Sequence, residues 1–136
     1  MKNTMILMAL GIAALSAIPS QAVAQQRKLL LGTNDQGASL FVLPDTVSRS
    51  APAVVIWTRT DAAPNNPTPI RVLAQKAIYD CSARSITVLQ REAYNSEGQI
   101  LDAVIIPPDE ITTTTPADGS PEQRSLAIIC SAFLGL

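Results

Sequence analysis

The chain has 136 residues, with ten basic and eleven acidic side chains, 15% charged residues, 4% aromatic residues and no histidine. That allows one domain of ordinary size and excludes both a basic nucleic-acid binder and an acidic disordered tail. Ser-His-Asp and Cys-His nucleophile systems and His-ligated zinc or haem fall with the missing histidine, and two cysteines cannot build a four-thiolate site.

Met1-Lys2-Asn3 is a short positive opening, and Thr4 to Ile18 is uncharged and mostly apolar. Small residues at Ala22 and Ala24, just beyond Pro19-Ser20, fit signal-peptidase cleavage between Ala24 and Gln25. The expectation is a signal peptide over 1–24 and an exported domain over 25–136. A retained membrane anchor is the competing reading, but the apolar run is shorter than the ~20 residues that span a bilayer. No cysteine stands near the cleavage site to accept a lipid anchor. The expected location is therefore the periplasm, the cell surface or the medium, with no membrane span after cleavage.

Beyond that point the pattern predicts strands followed by one helix. Leu29-Leu30-Leu31 is an apolar run closed by Gly32, and Ser39 to Leu43 is a second, closed by Pro44-Asp45. Ala53 to Thr60 is rich in β-branched residues, with Val54, Ile56 and Thr58 on one face and Val55, Trp57 and Arg59 on the other. Asp61 to Pro69 holds three prolines and two asparagines and reads as a loop. Ile70 to Cys81 is extended, with Leu73, Ala77, Tyr79 and Cys81 on one face. Ser82-Ala83 separate it by a tight hairpin from the strand Arg84 to Tyr94. Asn95-Ser96-Glu97-Gly98 is a turn, and Gln99 to Ile106 returns as a strand stopped by Pro107-Pro108.

Thr112 to Gly119 is polar and turn-rich, and serves as either a binding loop or a linker. A helix then starts, with Ser120 as cap, Pro121 in the first position and Gln123 placed to return a capping-box bond. Leu126, Ile129, Cys130, Phe133 and Leu134 recur at helical spacing. The predicted fold is α+β, a meander-rich antiparallel sheet of about six strands with one C-terminal helix.

Cys81 and Cys130 allow one intramolecular pairing, which would pin the helix to the apolar face of the sheet. Free thiols and an intermolecular bridge are the alternatives.

No catalytic, metal or cofactor motif survives inspection. Gly32 to Ser39 has the two-glycine spacing of a phosphate loop, but Ala38 stands where the lysine is needed. Asp109-Glu110 lacks a third oxygen ligand at a recognisable spacing, and Pro67 spoils the glycosylation pattern at Asn66. Lys28 and Lys76 are not in a Ser-x-x-Lys motif. Asp45, Asp61, Asp80 and Glu92 are scattered carboxylates that would need to converge across a cleft to act as a glycosidase pair. Trp57 and Arg59 are either part of a binding surface or core and rim of the sheet.

From Leu40 to Cys130 the sequence resembles the surface-adhesin protein E family of bacteria. The resemblance rests on Asp45, on Val55 to Arg59, and on Ile78-Tyr79-Asp80-Cys81 with Arg84 following. Tyr94, Gly98, Gly119-Ser120-Pro121-Glu122 and Cys130 complete it, in order. It implies an antiparallel sheet with a helix packed across it, a disulfide from Cys81 to Cys130, adhesion to host proteins and a capacity to dimerise. The expected function is that of an exported, non-catalytic binding protein with a protein partner. A periplasmic enzyme inhibitor or envelope scaffold module is the alternative, with Asp61 to Pro69 or Ile111 to Gly119 as the inhibitory loop.

Overall fold

The computed structural model describes residues 26–136, so the expected signal peptide and the Ala24–Gln25 cleavage point lie outside the described residues. One mixed-length antiparallel sheet runs in sequence order: β1 (Leu29–Thr33), β2 (Ser39–Ser50), β3 (Ala53–Asp61), β4 (Val72–Asp80), β5 (Ser85–Tyr94) and β6 (Ile100–Ile105). A two-residue strand, β7 (Thr113–Thr114), continues the outer edge beyond β6 by pairing with Ile86 and Thr87 of β5. The chain closes with helix α1 (Pro121–Leu134). Sheet plus helix is the α+β arrangement that the residue pattern predicts. No helix among the described residues is long and apolar enough to cross a membrane.

The helix begins as its sequence dictates. Ser120 Oγ accepts from the Gln123 backbone N–H at 3.2 Å, and Pro121 occupies the first turn, where a missing N–H costs nothing. The return bond differs from a capping box: Gln123 Oε1 accepts from the Gly119 N–H, one residue ahead of the cap. At the far end Gly135 takes a left-handed conformation (φ 69°), and its N–H and that of Leu136 satisfy the last helical carbonyls. Leu126, Ile129 and Cys130 are buried against Val42, Val54, Ile56, Ala77 and Tyr79 of the sheet. Ile129, Ile56 and Val54 lose all exposure to water, and this interdigitation is the main core. Arg49 fastens the helix end to β2, its Nε donating to the Phe133 carbonyl at 2.8 Å while the guanidinium lies 5.5 Å from that ring.

The sulfurs of Cys81 and Cys130 are bonded (S–S 2.08 Å, Cα–Cα 5.8 Å). Cys81 follows directly on β4 and Cys130 lies on the buried stripe of α1, so the bond joins the middle of the sheet to the helix.

Two local expectations are corrected. First, Pro44-Asp45 does not close the second strand; β2 runs on to Ser50. Leu43 pairs with Trp57 and Ser48 with Val55, so the four residues 44–47 bulge out opposite Ile56 alone. Pro44 has no N–H to offer a ladder, and Thr46 repairs the gap: its Oγ1 accepts from the Trp57 N–H at 3.0 Å and donates to the Leu43 carbonyl at 2.7 Å. Second, the β4–β5 connection is four residues, 81–84, rather than two. Asp80 Oδ1 caps it by accepting from the N–H groups of Ser82 and Ala83, and Arg84 takes a positive φ of 54°. Leu73 shares its strand face with Ala77 and Tyr79 as expected, and is 45% exposed because the helix packs only farther along β3 and β4.

Candidate binding surface

Alternation sends every second residue of β2 to β5 away from the helix. Register aligns them in three rows across the helix-free face. One row is Leu43, Trp57, Lys76 and Gln90; the next is Phe41, Arg59, Ala74 and Glu92; the last is Ser39, Asp61, Val72 and Tyr94. Leu43, Ala74 and Tyr94 are buried here, with Trp57 and Val72 packed on them, as a second, small core. The charged residues around that core are organised by contact. Asp61 receives Arg59 Nε at 2.5 Å and Lys28 Nζ at 3.0 Å, and Lys28 also stands 4.2 Å from the Phe41 ring. Burial alone would raise the Asp61 carboxyl, but the two cationic donors outweigh it and hold the group below its usual range. Tyr94 donates its hydroxyl to Glu92, which also accepts from Gln90 Nε2 at 3.1 Å. Burial, reinforced by that carboxylate, raises the Tyr94 phenol well above its ordinary value.

At the end of this face, where the β5–β6 turn meets the loop before β4, lies an open cavity of about 310 Å³. Arg59, Asp61, Arg71, Tyr94, Asn95 and Ser96 line it. A larger groove of about 590 Å³ lies beside the disulfide, between α1 and the loop over residues 115–118.

The sheet edge is the other distinctive surface. All six residues of β6 are exposed, and four of them are large and apolar: Ile100, Leu101, Val104 and Ile105. Ile105 is 76% exposed. The strand pairs with β5 on one side, and among the described residues its other side has no strand partner. Soluble proteins usually blunt such an edge with charge, proline or a covering segment; the lone charge within β6 is Asp102.

The scattered carboxylates are each committed elsewhere. Exposed Asp45 pairs with Arg27 at 3.0 Å, Asp61 with Arg59 and Lys28, Asp80 caps its turn, and Glu92 serves Tyr94 and Gln90. Asp109 and Glu110 sit in a single exposed 3₁₀ turn. The two-glycine stretch is a turn between β1 and β2, in which Asn34 Oδ1 accepts from the N–H groups of Gln36 and Ala38. Among the described residues no three His, Cys, Asp or Glu side chains converge as metal ligands. Trp57 and Arg59 do come together, on the free face. Arg71 was not singled out by its sequence context, because only the fold brings it beside Tyr94 and the Asn95 turn.

Residues 29–131 match the model of the surface-adhesin protein E family. Among solved structures the fold is similar to that of Haemophilus influenzae protein E (TM-score 0.54, 15% identity, covering 71% of this chain and 80% of that one). Protein E from non-typeable Haemophilus influenzae is similar to a comparable degree (TM-score 0.53, 10% identity, covering 82% and 88%). No curated protein sequence matches. With the family pattern spanning three quarters of its length and a sheet, helix and disulfide of the expected kind, the chain belongs to the surface-adhesin protein E family.

Proposed function

We propose that this is an exported, non-catalytic binding protein that takes an extended segment of a protein partner along the open edge of β6. Family and fold support an adhesin-like surface protein. The observation that carries the binding mode is the β6 edge itself: a free ladder of backbone groups flanked on both faces by exposed Ile100, Leu101, Val104 and Ile105. An added strand would satisfy the backbone groups, and alternate side chains would meet the apolar residues. A second copy of the chain is a partner of the same kind. The leader over 1–24, cut before Gln25, would deliver the domain to the periplasm or the cell surface.

The test uses the oxidised 25–136 domain as bait in envelope extract and in host serum, beside an Ile105→Lys variant. A charge at the edge should abolish capture while leaving the fold intact. Equal capture by both proteins would remove β6 from the reading, and protein found only in the cytoplasm would remove export.

The inhibitor alternative has one structural feature in its favour. The exposed loop before β4 is tied to itself: Asn66 Oδ1 accepts from the Thr68 N–H and hydroxyl, and Arg71 Nη1 holds three loop carbonyls. A self-tied, proline-rich loop suits insertion into an enzyme cleft. Failure to inhibit a panel of exported lysozymes and proteases would eliminate it.

A further inference from the structure

We infer that the cavity between Arg71 and the Asn95–Gly98 turn is a binding site for a singly charged carboxylate, with the Arg71 guanidinium as its anchor. This goes beyond the edge-strand reading and concerns a different surface.

Arg71 is the group that carries the argument. Its backbone bridges two strands: its N–H donates to the Tyr94 carbonyl at 2.8 Å, and its carbonyl accepts from the Ala62 N–H at 2.9 Å. Its Nη1 donates to the carbonyls of Asn66, Thr68 and Ile70 at 3.3, 3.1 and 3.2 Å. A guanidinium held at one nitrogen by three fixed oxygens has its plane set in advance, so little rotamer freedom remains to be lost on binding. Among the described residues, Nε and Nη2 make no hydrogen bond to protein, and no carboxylate lies within ion-pairing distance of the group. The positive charge is therefore uncompensated, and the unused donors form the fork that matches a carboxylate.

The rest of the cavity narrows the ligand. Val72 and Tyr94 add apolar lining, and Ser96, whose hydroxyl has no protein partner among the described residues, lines the same cavity. The Asn95–Gly98 turn is rigid, because Asn95 Oδ1 accepts from the N–H groups of Glu97 and Gln99 at 3.0 and 2.9 Å. Asp61, kept ionised by Arg59 and Lys28, also lines the cavity and would repel a second negative charge. Asp61 is thus the one carboxylate among the lining residues, and Arg71 is the cation there that is not bonded to it. A planar monoanion is thus favoured over phosphate or sulfate. A volume of about 310 Å³ suits a group the size of one acidic residue or a chain terminus.

The experiment is a titration of the oxidised 25–136 domain followed by amide and arginine Nε–H chemical shifts. The probes are acetate, the blocked peptide Ac-Gly-Glu-Gly-NH2, the peptide Ac-Gly-Gly-Gly with a free C-terminus, and inorganic phosphate. Carboxylate probes should give saturable shifts confined to Arg71, Tyr94, Ser96 and Gly98, with phosphate weaker. Stronger response to one peptide than to acetate assigns the source as side chain or terminus; equal response to all three assigns a free small carboxylate. Arg71→Lys keeps the charge but loses the fork and should weaken binding about tenfold. Arg71→Met should abolish it, and Arg84→Met, beside the other groove, should leave it unchanged. No saturable shift at Arg71 below about 50 mM carboxylate, tighter binding of phosphate, or undiminished binding by a folded Arg71→Met protein would each overturn the assignment. If Arg71→Met does not fold, the wild-type titration and Arg71→Lys decide.

Discussion

The two faces of one sheet are stabilised by different physics. Under α1, the side chains of Val54, Ile56, Ala77 and Tyr79 meet Leu126, Ile129 and the disulfide, and water is simply excluded. On the opposite face, the alternate residues of the same strands build a core of only Leu43, Ala74 and Tyr94, ringed by charged groups that must be satisfied one by one. The covered face depends on volume and is intolerant of cavities; the free face depends on paired polar groups and is sensitive to pH. The covered face keeps the domain folded, and the free face and its β6 margin are left uncovered by the helix.

The largest effect should come from the bond that holds the helix down. Cys81 and Cys130 are 49 residues apart, and a closed loop of that length removes about 4 kcal/mol of chain entropy from the unfolded state. Replacing both by alanine should lower unfolding stability in urea by that order. If the loss is below about 1 kcal/mol, the helix is held by packing alone and the two faces differ less in what stabilises them. Next, Ile129→Ala should cost about 3 kcal/mol, since a fully buried side chain leaves a cavity between two packed elements. Tyr94→Phe removes one hydroxyl from a network on the free face and should cost about 1 kcal/mol in the same titration.

Titration sharpens the comparison further, because one tyrosine lies on each face. Burial pushes the Tyr79 phenol up to about 12, against a lowering by the Thr58 hydroxyl, and raises Tyr94 too. These are the only tyrosines in the chain. Ultraviolet absorbance should therefore show no tyrosinate at pH 10 to 11 in the folded protein, while the urea-unfolded chain ionises near 10. An acid raised in the folded state binds its proton tighter there, so the tyrosine share of stability is constant below 10 and falls as pH rises toward 12. Tyrosinate appearing near pH 10 without unfolding would show that one phenol is open to water. Asp61 behaves in the opposite sense: its lowered folded-state value stabilises the protein above the ordinary 3.8, and that share is lost as pH falls below it. Asp61→Asn should flatten the acid limb of the stability profile. The smallest effect belongs to Ile105→Lys, which should change stability by no more than about 0.5 kcal/mol because the side chain is already in water.

Much of the covered face was legible in the sequence. The alternation of Val54, Ile56 and Thr58, the turn at Asn95 to Gly98, the Ser120-Pro121 helix start and the stripe through Ile129 and Cys130 are local patterns, and local patterns survive into the fold. The free face was not legible, for a physical reason. Its rows depend on register across four strands, and a bulge shifts register without leaving a mark in composition. Pro44 looked like a stop because one proline removes one ladder bond, but Thr46, two residues on, supplies the substitute. A second bulge, where Lys76 pairs with Gln90 but Ala77 with Val88, decides which β5 residues join Tyr94 on the free face. Arg71 acquires meaning only once Asn66, Thr68 and Tyr94 stand around it.

The position of Cys130 in the chain also governs the order of events. Every strand precedes it, so a chain emerging N-terminus first presents Cys81 and the whole apolar face of the sheet before the helix that covers them exists. The disulfide is a clasp that closes last. Until it closes, a nearly complete sheet carries an uncovered greasy face as well as an open edge, the state most exposed to aggregation. A thiol oxidant can make this bond only once Cys130 has followed Cys81, whereas a chaperone that shields the bare face has to act before then.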